Sequence, residues 1–163
     1  MLDVAHNPPA IEQLMKKLDE EHRGRKVRFV VGMSSDKDLK MCAEAILQRV
    51  EGGQIHLVEA LHPRAAKLEV ILEAGSDGLS GCHYDMNDRG VAKQTEAALN
   101  LASANDDDEI IVICGSVFLM ASAREACGIV EPRDSDFIAK EAGANLRQDL
   151  QVRGGGERRT GGA

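Results

Sequence analysis

Polar and apolar residues near the start of the chain follow the period of an amphipathic helix. In "LDVAHNPPAIEQLMKKL" (2–18), apolar side chains occur at the i, i+3, i+4, i+7 spacing: Ile11, Leu14, Met15 and Leu18. Asn7 is a favourable N-cap, and Pro8 suits the first helical position because its missing N–H has no intrahelical partner to lose. The pattern therefore predicts a helix that begins directly after Asn7.

Strand and helix patterns then follow each other along the chain. The run "VRFVVGM" (27–33) is short and rich in β-branched residues, which is consistent with a buried strand. The next segment, 36–50, has the apolar face of a helix: Leu39, Cys42, Ala43, Ile46 and Val50. A second strand is predicted over 54–60. A further helix is predicted over 64–75, and Gly75 ends it.

The second half of the chain repeats this order. Residues 87–103 predict a helix with one face formed by Val91, Thr95, Ala98, Leu99 and Ala102. The segment "EIIVICGS" (109–116) is the most strand-like run of the chain, and apolar residues from 117 to 121 predict a further buried helix. Short apolar strands alternating with amphipathic helices predict a doubly wound α/β domain, with a mostly parallel sheet covered by helices on both faces.

Composition excludes several classes of function. The 163 residues suffice for one domain, and the net charge of −7 with four aromatic residues disfavours binding to nucleic acid. No apolar run approaches the about 20 residues that a membrane helix needs, and no secretory signal is visible, so we expect a soluble intracellular protein with no membrane partner. The cytoplasm and an organelle, a mitochondrion or a plastid, both stay open as its compartment.

The four cysteines do not form a metal-binding pattern. Cys42, Cys82, Cys114 and Cys127 lie 40, 32 and 13 residues apart without a C-x-x-C pair. We interpret all four as small apolar residues in a reducing compartment. The acidic run at 105–109 could imitate a metal site, but its consecutive carboxylates do not converge, so a solvated loop is the better interpretation.

Polar residues collect where the predicted strands end. The segments that follow the predicted strands, here called strand exits, are "DVAHNP", "GMSSDKD", "EALHPRAA" and "CGSVF". Because the carboxyl ends of parallel strands meet at one edge of a sheet, we expect these exits to lie close together. Asp3 could bind a vicinal diol such as a ribose or could cap the backbone. His6 could bind a carboxylate or be a satisfied core histidine.

The later exits offer cations and a hydroxyl group. Ser35 or Asp36 could cap the second helix, which leaves Lys37 to meet an anion. Arg64 could grip an anion or form a surface salt bridge. Ser116 could cap a helix or contact a ligand.

No phosphate cradle is recognisable. The motif G-x-x-x-x-G-K-[ST] is absent, and "GSDGLSG" (75–81) lacks the lysine. If the protein uses ATP, we expect another domain to hold the triphosphate and its magnesium ion.

The segments "LDVAHNPPA", "GMSSDKD", "HPRAA" and "VICGSVFLMASARE", in this order, resemble the C-terminal domain of dihydrofolate synthase and folylpolyglutamate synthase, in the Mur ligase superfamily. The resemblance extends from about residue 2 to residue 136. It implies a Rossmann-like domain over 1–138, followed by a flexible tail over 139–163. It also implies that an N-terminal ATPase domain, with the P-loop and the magnesium ligands, is absent from these residues.

The family's reaction is ATP-dependent addition of L-glutamate to dihydropteroate or to a folate through an acyl phosphate. The resemblance implies that Asp3 binds the ATP ribose and that His6 and Ser116 face the incoming glutamate. Further residues fall in family segments without an assigned contact: Asn7, Asp36, Lys37 and Arg64. It implies no metal ligand and no complete catalytic set in this chain. ATP, Mg²⁺, L-glutamate, the pterin substrate and the ATPase domain are the implied partners.

Two alternatives stay open at this point. The chain could be a non-catalytic module that binds a nucleotide or an amino acid, or part of another Mur-type ligase. Because it begins almost on the first motif, its start is typical of an interior boundary, and we predict that it has no ligase turnover alone.

Overall fold

A parallel three-stranded sheet forms the centre of the chain. The computed structural model describes residues 1–104 and 108–129. Strands β1 (Val27–Val31), β2 (Ile55–Leu57) and β3 (Ile110–Cys114) lie in the order β2-β1-β3. Phe29 of β1 pairs with Ile55 on one side and with Val112 on the other, and both pairings are parallel.

Single parallel bridges widen the sheet beside each of its two outer strands. Leu2 pairs with Ile113, beside β3, and His83 pairs with His56, beside β2. The backbone N–H of Asp3 donates to the Ile113 oxygen at 3.0 Å, and the Gly115 N–H donates to the Ala5 oxygen at 2.8 Å. The first residues of the chain therefore run beside β3 and leave the sheet at the same edge.

In the described part of the chain, five α-helices and three short 3₁₀ turns surround the strands. The α-helices are α1 (Pro8–Glu21), α2 (Leu39–Leu47), α3 (Leu68–Gly75), α4 (Val91–Ala104) and α5 (Met120–Ala126). The 3₁₀ turns span Gly52–Gln54, Ser76–Leu79 and Val117–Leu119. None of the described helices is long and apolar enough to cross a membrane.

The helices cover both faces of the sheet. Phe29 and Val31 point to the face on which α1, α2 and α3 pack, whereas Val30 points to the face covered by α4 and α5. Alternate residues of one strand thus enter two cores, as the period of a strand requires. The prediction of a doubly wound parallel sheet is confirmed.

Several predicted boundaries were too generous. The helix predicted over 36–50 spans 39–47, and the one predicted over 64–75 begins at Leu68. The strand predicted over 54–60 is three residues long. Of the residues removed from these elements, 36–38, 58–60 and 64–67 lie in the loops that follow β1 and β2, at the carboxyl edge of the sheet.

Two other predictions need correction. The segment after β3 is only partly buried, because Leu119 and Ala123 are enclosed while Val117 is 58% exposed. The run at 105–109 is not wholly a solvated loop, since the Glu109 carboxylate is buried and pairs with Arg28 at 3.2 Å. Residues 105–107 and the predicted tail at 139–163 lie outside the described residues.

Candidate functional site

The strand order places a topological switch point at β3. After β1 the chain turns to the face covered by α2, whereas after β3 it turns to the face covered by α5. The first residues, on the other side of β3, turn into α1 on the first face. Ligands of open α/β sheets bind beside such divergent strand exits. The predicted meeting of the polar exits at one edge is therefore realised.

Asp3 has a structural role in the turn before α1. Its Oδ1 accepts the backbone N–H of Ala5 at 2.8 Å, so one carboxylate oxygen caps the chain as it leaves the sheet. Among the described residues, the second oxygen has no hydrogen-bond partner. A half-buried carboxylate with one oxygen fixed and the other available can accept a ligand hydroxyl.

His6 is exposed, so its interpretation as a core histidine is wrong. Its Nδ1 lies 2.9 Å from the Val4 carbonyl oxygen. Because a carbonyl oxygen can only accept, the proton of the neutral ring is on Nδ1, and Nε2 is left with a lone pair. His6 therefore presents an acceptor to solvent at the edge of the sheet.

Asn7 is the N-cap of α1, as predicted. Its Oδ1 accepts the backbone N–H of Ala10 at 3.0 Å, and Pro8 occupies the first helical position. This contact accounts for Asn7 without a ligand.

Ser116 is buried and caps the turn after β3. Only 2% of the residue is exposed, and its Oγ accepts the backbone N–H of Phe118 at 3.2 Å. The Oγ of Ser34, which leaves β1, lies 3.5 Å from the same oxygen. Ser34 was not among the predicted site residues, although its position directly after the neighbouring strand was a signal.

Two glycines allow neighbouring strand exits to approach each other closely. Gly115 has φ +104°, and a Cβ placed there would lie 2.5 Å from the Gly32 oxygen. A Cβ at Gly32 would in turn meet the Val58 oxygen at 2.7 Å. A side chain at Gly115 would push apart the exits that carry Ser34 and Ser116, whereas a side chain at Gly32 would push the exit of β1 away from Val58, which follows β2.

The loop after β1 uses its charges locally. Asp38 caps α2 through the Met41 N–H at 3.0 Å, so the prediction of Ser35 or Asp36 as the cap is wrong. Lys37 Nζ lies 3.3 Å from the Asp36 carboxylate, and this hydrogen bond lowers the pKa of Asp36. Lys37 is consequently paired rather than free to receive an anion.

Arg64 does not form the surface salt bridge considered above. Within the described part of the chain, no carboxylate lies within 4.0 Å of its guanidinium, whose Cζ is 5.1 Å from the centre of the Phe118 ring. His62 stacks on the same ring, with 3.5 Å between centroids and 8° between planes. His62 and Phe118 were missed because this contact joins two distant strand exits.

The thiols offer no reactive nucleophile in the core. Burial raises the pKa of Cys114 to about 12 and that of Cys42 to about 11. Cys127 is exposed, so its interpretation as a buried apolar residue is wrong. The described residues contain no group of three or more His, Cys, Asp or Glu side chains that could hold a metal ion.

Comparison with known proteins identifies the family. Residues 1–117 match the family model described as Mur ligase, glutamate ligase domain. The chain belongs to this family. Over 125 residues it is 31% identical to dihydrofolate synthase/folylpolyglutamate synthase of Escherichia coli K12. This alignment covers 77% of this chain and 27% of that relative.

Solved structures give the same result for this Mur ligase domain. Folylpolyglutamate synthase of Mycobacterium tuberculosis, complexed with ADP and AMPPCP, matches with a TM-score of 0.68 and 25% identity, over 80% of this chain and 30% of that chain. A bifunctional folylpolyglutamate synthase/dihydrofolate synthase with Mn, AMPPNP and L-glutamate bound matches with a TM-score of 0.58 and 30% identity, over 78% and 29%. The resemblance in the sequence is thereby confirmed. The chain spans less than a third of the length of these relatives.

The nucleotide and metal of the relatives bear differently on this Mur ligase domain. The free oxygen of Asp3 is of the type that accepts a ribose hydroxyl. For the metal, the described ranges contain no group of three or more His, Cys, Asp or Glu side chains that could hold an ion.

Proposed function

We propose that this chain is the glutamate-binding part of an ATP-dependent ligase that adds L-glutamate to dihydropteroate or to a folate. The observation that carries the proposal is the placement of Asp3 and His6 on one side of the β3 exit, which itself carries Ser116. Relatives of the same family bind ADP or AMPPNP and, in one case, L-glutamate.

The proposed reaction has two steps. The substrate carboxylate attacks the γ-phosphorus of ATP, which gives an acyl phosphate and ADP. The amine of glutamate then attacks the acyl carbon, and the tetrahedral intermediate loses inorganic phosphate to leave the amide. The demands on the protein are positioning of the amine and stabilisation of charge on the transferring phosphoryl group.

His6 and Asp3 suit two parts of this task. The ammonium group of glutamate must lose one proton before it attacks and a second as the amide forms, and the lone pair on His6 Nε2 can accept a hydrogen bond or one of these protons. The free oxygen of Asp3 can accept a ribose hydroxyl and so hold the nucleotide beside β3. Ser116 can contact glutamate only if its buried hydroxyl is uncovered, since in the structure it serves as a cap.

An ATPase domain completes the proposed site. The sequence contains no phosphate cradle, so we assign the triphosphate and Mg²⁺ to that domain, where Mg²⁺ would neutralise charge on the phosphates. Closure of this chain over the nucleotide would then bring the amine to the acyl phosphate.

A fusion tests the proposal. In the Escherichia coli relative, the matched 27% of its length would be replaced by this chain, and formation of glutamylated product would be measured. We expect turnover, a raised KM for ATP in Asp3→Asn, and a kcat at least about 100-fold lower in His6→Ala. A folded fusion that turns over equally well with both substitutions would contradict the roles of these residues.

A binding module is the second candidate function. It is favoured by the absence of a phosphate cradle from the sequence. A folded fusion without turnover, combined with nucleotide or glutamate binding by the chain, would support the module. Turnover with amino-acid acceptors other than a pteroate or folate would instead indicate another Mur-type ligase.

A further inference from the structure

A stack of three side chains joins the exits of β2 and β3. The ring of Phe118, in the turn after β3, lies parallel to the ring of His62, with the centroids 3.5 Å apart. The guanidinium of Arg64 also lies against Phe118, at 5.1 Å from Cζ to the ring centre. The phenyl ring thus seats a cation and an imidazole at the edge where ligands of such sheets bind.

The backbone of the stack is fixed to the exit of β1. The Ser35 N–H donates to the Arg64 oxygen at 2.8 Å, and the Ser35 hydroxyl donates to the same oxygen at 3.3 Å. Ser34 and Ala65 form an antiparallel bridge beside this contact. Contacts with the exit of β1 therefore fix the backbone that carries the Arg64 side chain.

The free hydrogen-bonding groups of the stack are donors. The backbone N–H of Arg64 donates to His62 Nδ1 at 3.2 Å, so Nδ1 provides the lone pair and the neutral ring carries its proton on Nε2. The guanidinium of Arg64 adds a planar fork of N–H groups without a carboxylate within 4.0 Å in the described part of the chain. The nearby carboxylate of Asp36 pairs with Lys37, and the charge of Arg64 also contributes to the lowered pKa of this carboxyl group.

We propose that Arg64 and His62, seated on Phe118, bind the side-chain carboxylate of the amino-acid substrate and thereby select a dicarboxylic amino acid. A carboxylate accepts two N–H bonds from a guanidinium fork, whereas the amide of glutamine offers one neutral oxygen and an NH₂ donor. The donors of this stack complement the acceptor that His6 presents to the amine. The assignment rests on the proposed function and adds the residues that set the choice of amino acid.

Ligand titrations of the full 163-residue chain test this assignment. Backbone amide NMR shifts of Ser35, Arg64 and Phe118 would be followed during separate additions of L-glutamate, L-glutamine, inorganic phosphate and ATP. We expect glutamate to bind at least about tenfold more tightly than glutamine. Arg64→Gln should remove this preference, and Arg64→Lys, which keeps the charge but not the fork, should restore only part of it.

Two further variants separate the stack from general effects of charge and folding. Phe118→Leu keeps an apolar side chain but removes the ring, and it should weaken glutamate binding about three- to tenfold. Arg23→Gln makes the same charge change as Arg64→Gln at an exposed position before β1, at the other end of the sheet, and should bind glutamate like the unchanged chain. Unchanged amide spectra without ligand would show that each variant is folded.

The outcomes distinguish this assignment from the proposed function. Equal glutamate affinity in the unchanged chain and in Arg64→Gln would overturn the assignment alone. Shifts caused by phosphate and not by glutamate would identify a phosphoryl site and overturn it as well. If neither glutamate nor ATP perturbs the spectrum, the assignment fails, and turnover by the fusion described above decides whether the proposed function stands.

Discussion

His56 is a fully buried histidine that the candidate site does not use. Its Nδ1 lies 3.0 Å from Gln94 Oε1, and its ring stacks on His83 with 4.5 Å between centroids. Its Nε2 has no hydrogen-bond partner among the described residues. Burial lowers its pKa from 6.5 to about 4, although the hydrogen bond with Gln94 opposes the shift, while the nearby His83 and Arg28 add to it.

Acid should therefore destabilise the fold through His56. Between pH 6.5 and about 4 the unfolded chain binds a proton that the folded chain excludes, so stability falls as the pH falls through this window. We expect a loss of up to about 3 kcal/mol, measured as the free energy of urea unfolding at several pH values. His56→Gln should flatten this dependence, and His22→Gln, outside the buried cluster, should leave it unchanged. An equal slope in all three proteins would contradict the role of His56.

Gly115 is the residue that permits the crowded exit of β3. With φ +104° and a Cβ position 2.5 Å from the Gly32 oxygen, Gly115→Ala should cost about 3 kcal/mol of unfolding free energy. Gly128→Ala is the matched control, since it also has positive φ, +70°, but no atom lies within 4 Å of its Cβ position. The control should cost only about 1 kcal/mol. Similar losses in both variants would mean that the close approach to Gly32 contributes nothing.

Local chemistry was readable at some residues and not at others. Asn7 follows a rule set by its own helix, so its cap was predicted correctly. Ser34, His62 and Phe118 acquire their roles from contacts between strand exits up to 82 residues apart, such as the pair Ser34 and Ser116. A local pattern contains no information about which exit lies beside which.

At the scale of elements, the start of α2 shows why boundaries are harder to predict than faces. All five residues predicted on its apolar side are buried, because burial is set by a periodic pattern spread over several turns. The first residue of the helix depends on which of three nearby side chains caps it: Ser35, Asp36 or Asp38. Ser35 and Asp36 make other contacts, with Arg64 and Lys37, which leaves Asp38 as the cap.

Substitution of the two candidate caps tests this choice. Asp38→Ala should lower the free energy of unfolding by about 1 kcal/mol, because it removes the acceptor of the Met41 N–H. Ser35→Ala, three residues earlier on the exposed loop, should change it by less than about 0.5 kcal/mol. Urea denaturation of both variants measures the difference. A larger loss in Ser35→Ala would indicate that the loop, and not the helix cap, limits stability here.

At the scale of the whole molecule, the fold brings together parts of a site that are far apart in sequence. The parallel order β2-β1-β3, extended by Leu2 beside β3, places residues 3–7, 34–38, 62–66 and 115–118 at one edge. Alternating strand and helix patterns predicted this meeting because parallel strands leave a sheet on the same side. These patterns could not predict the strand order. The strand order decides that Ser34 lies beside the exit of β3 and that Phe118 lies beside the exit of β2.

The assembled edge contains groups for an amine, a hydroxyl and an anion, but no means of activating a carboxylate. Transfer of the γ-phosphoryl group requires a cradle for the triphosphate and a metal ion, and neither a P-loop motif in the sequence nor a metal-ligand group in the described ranges supplies them. We therefore expect the purified 163-residue chain to release no phosphate from ATP in the presence of glutamate and dihydropteroate. Phosphate release and formation of glutamylated product would be measured together, with the Escherichia coli relative as the positive control. Sustained turnover that disappears in His6→Ala would show that this chain holds a complete site, and the proposed division of labour between two domains would be wrong.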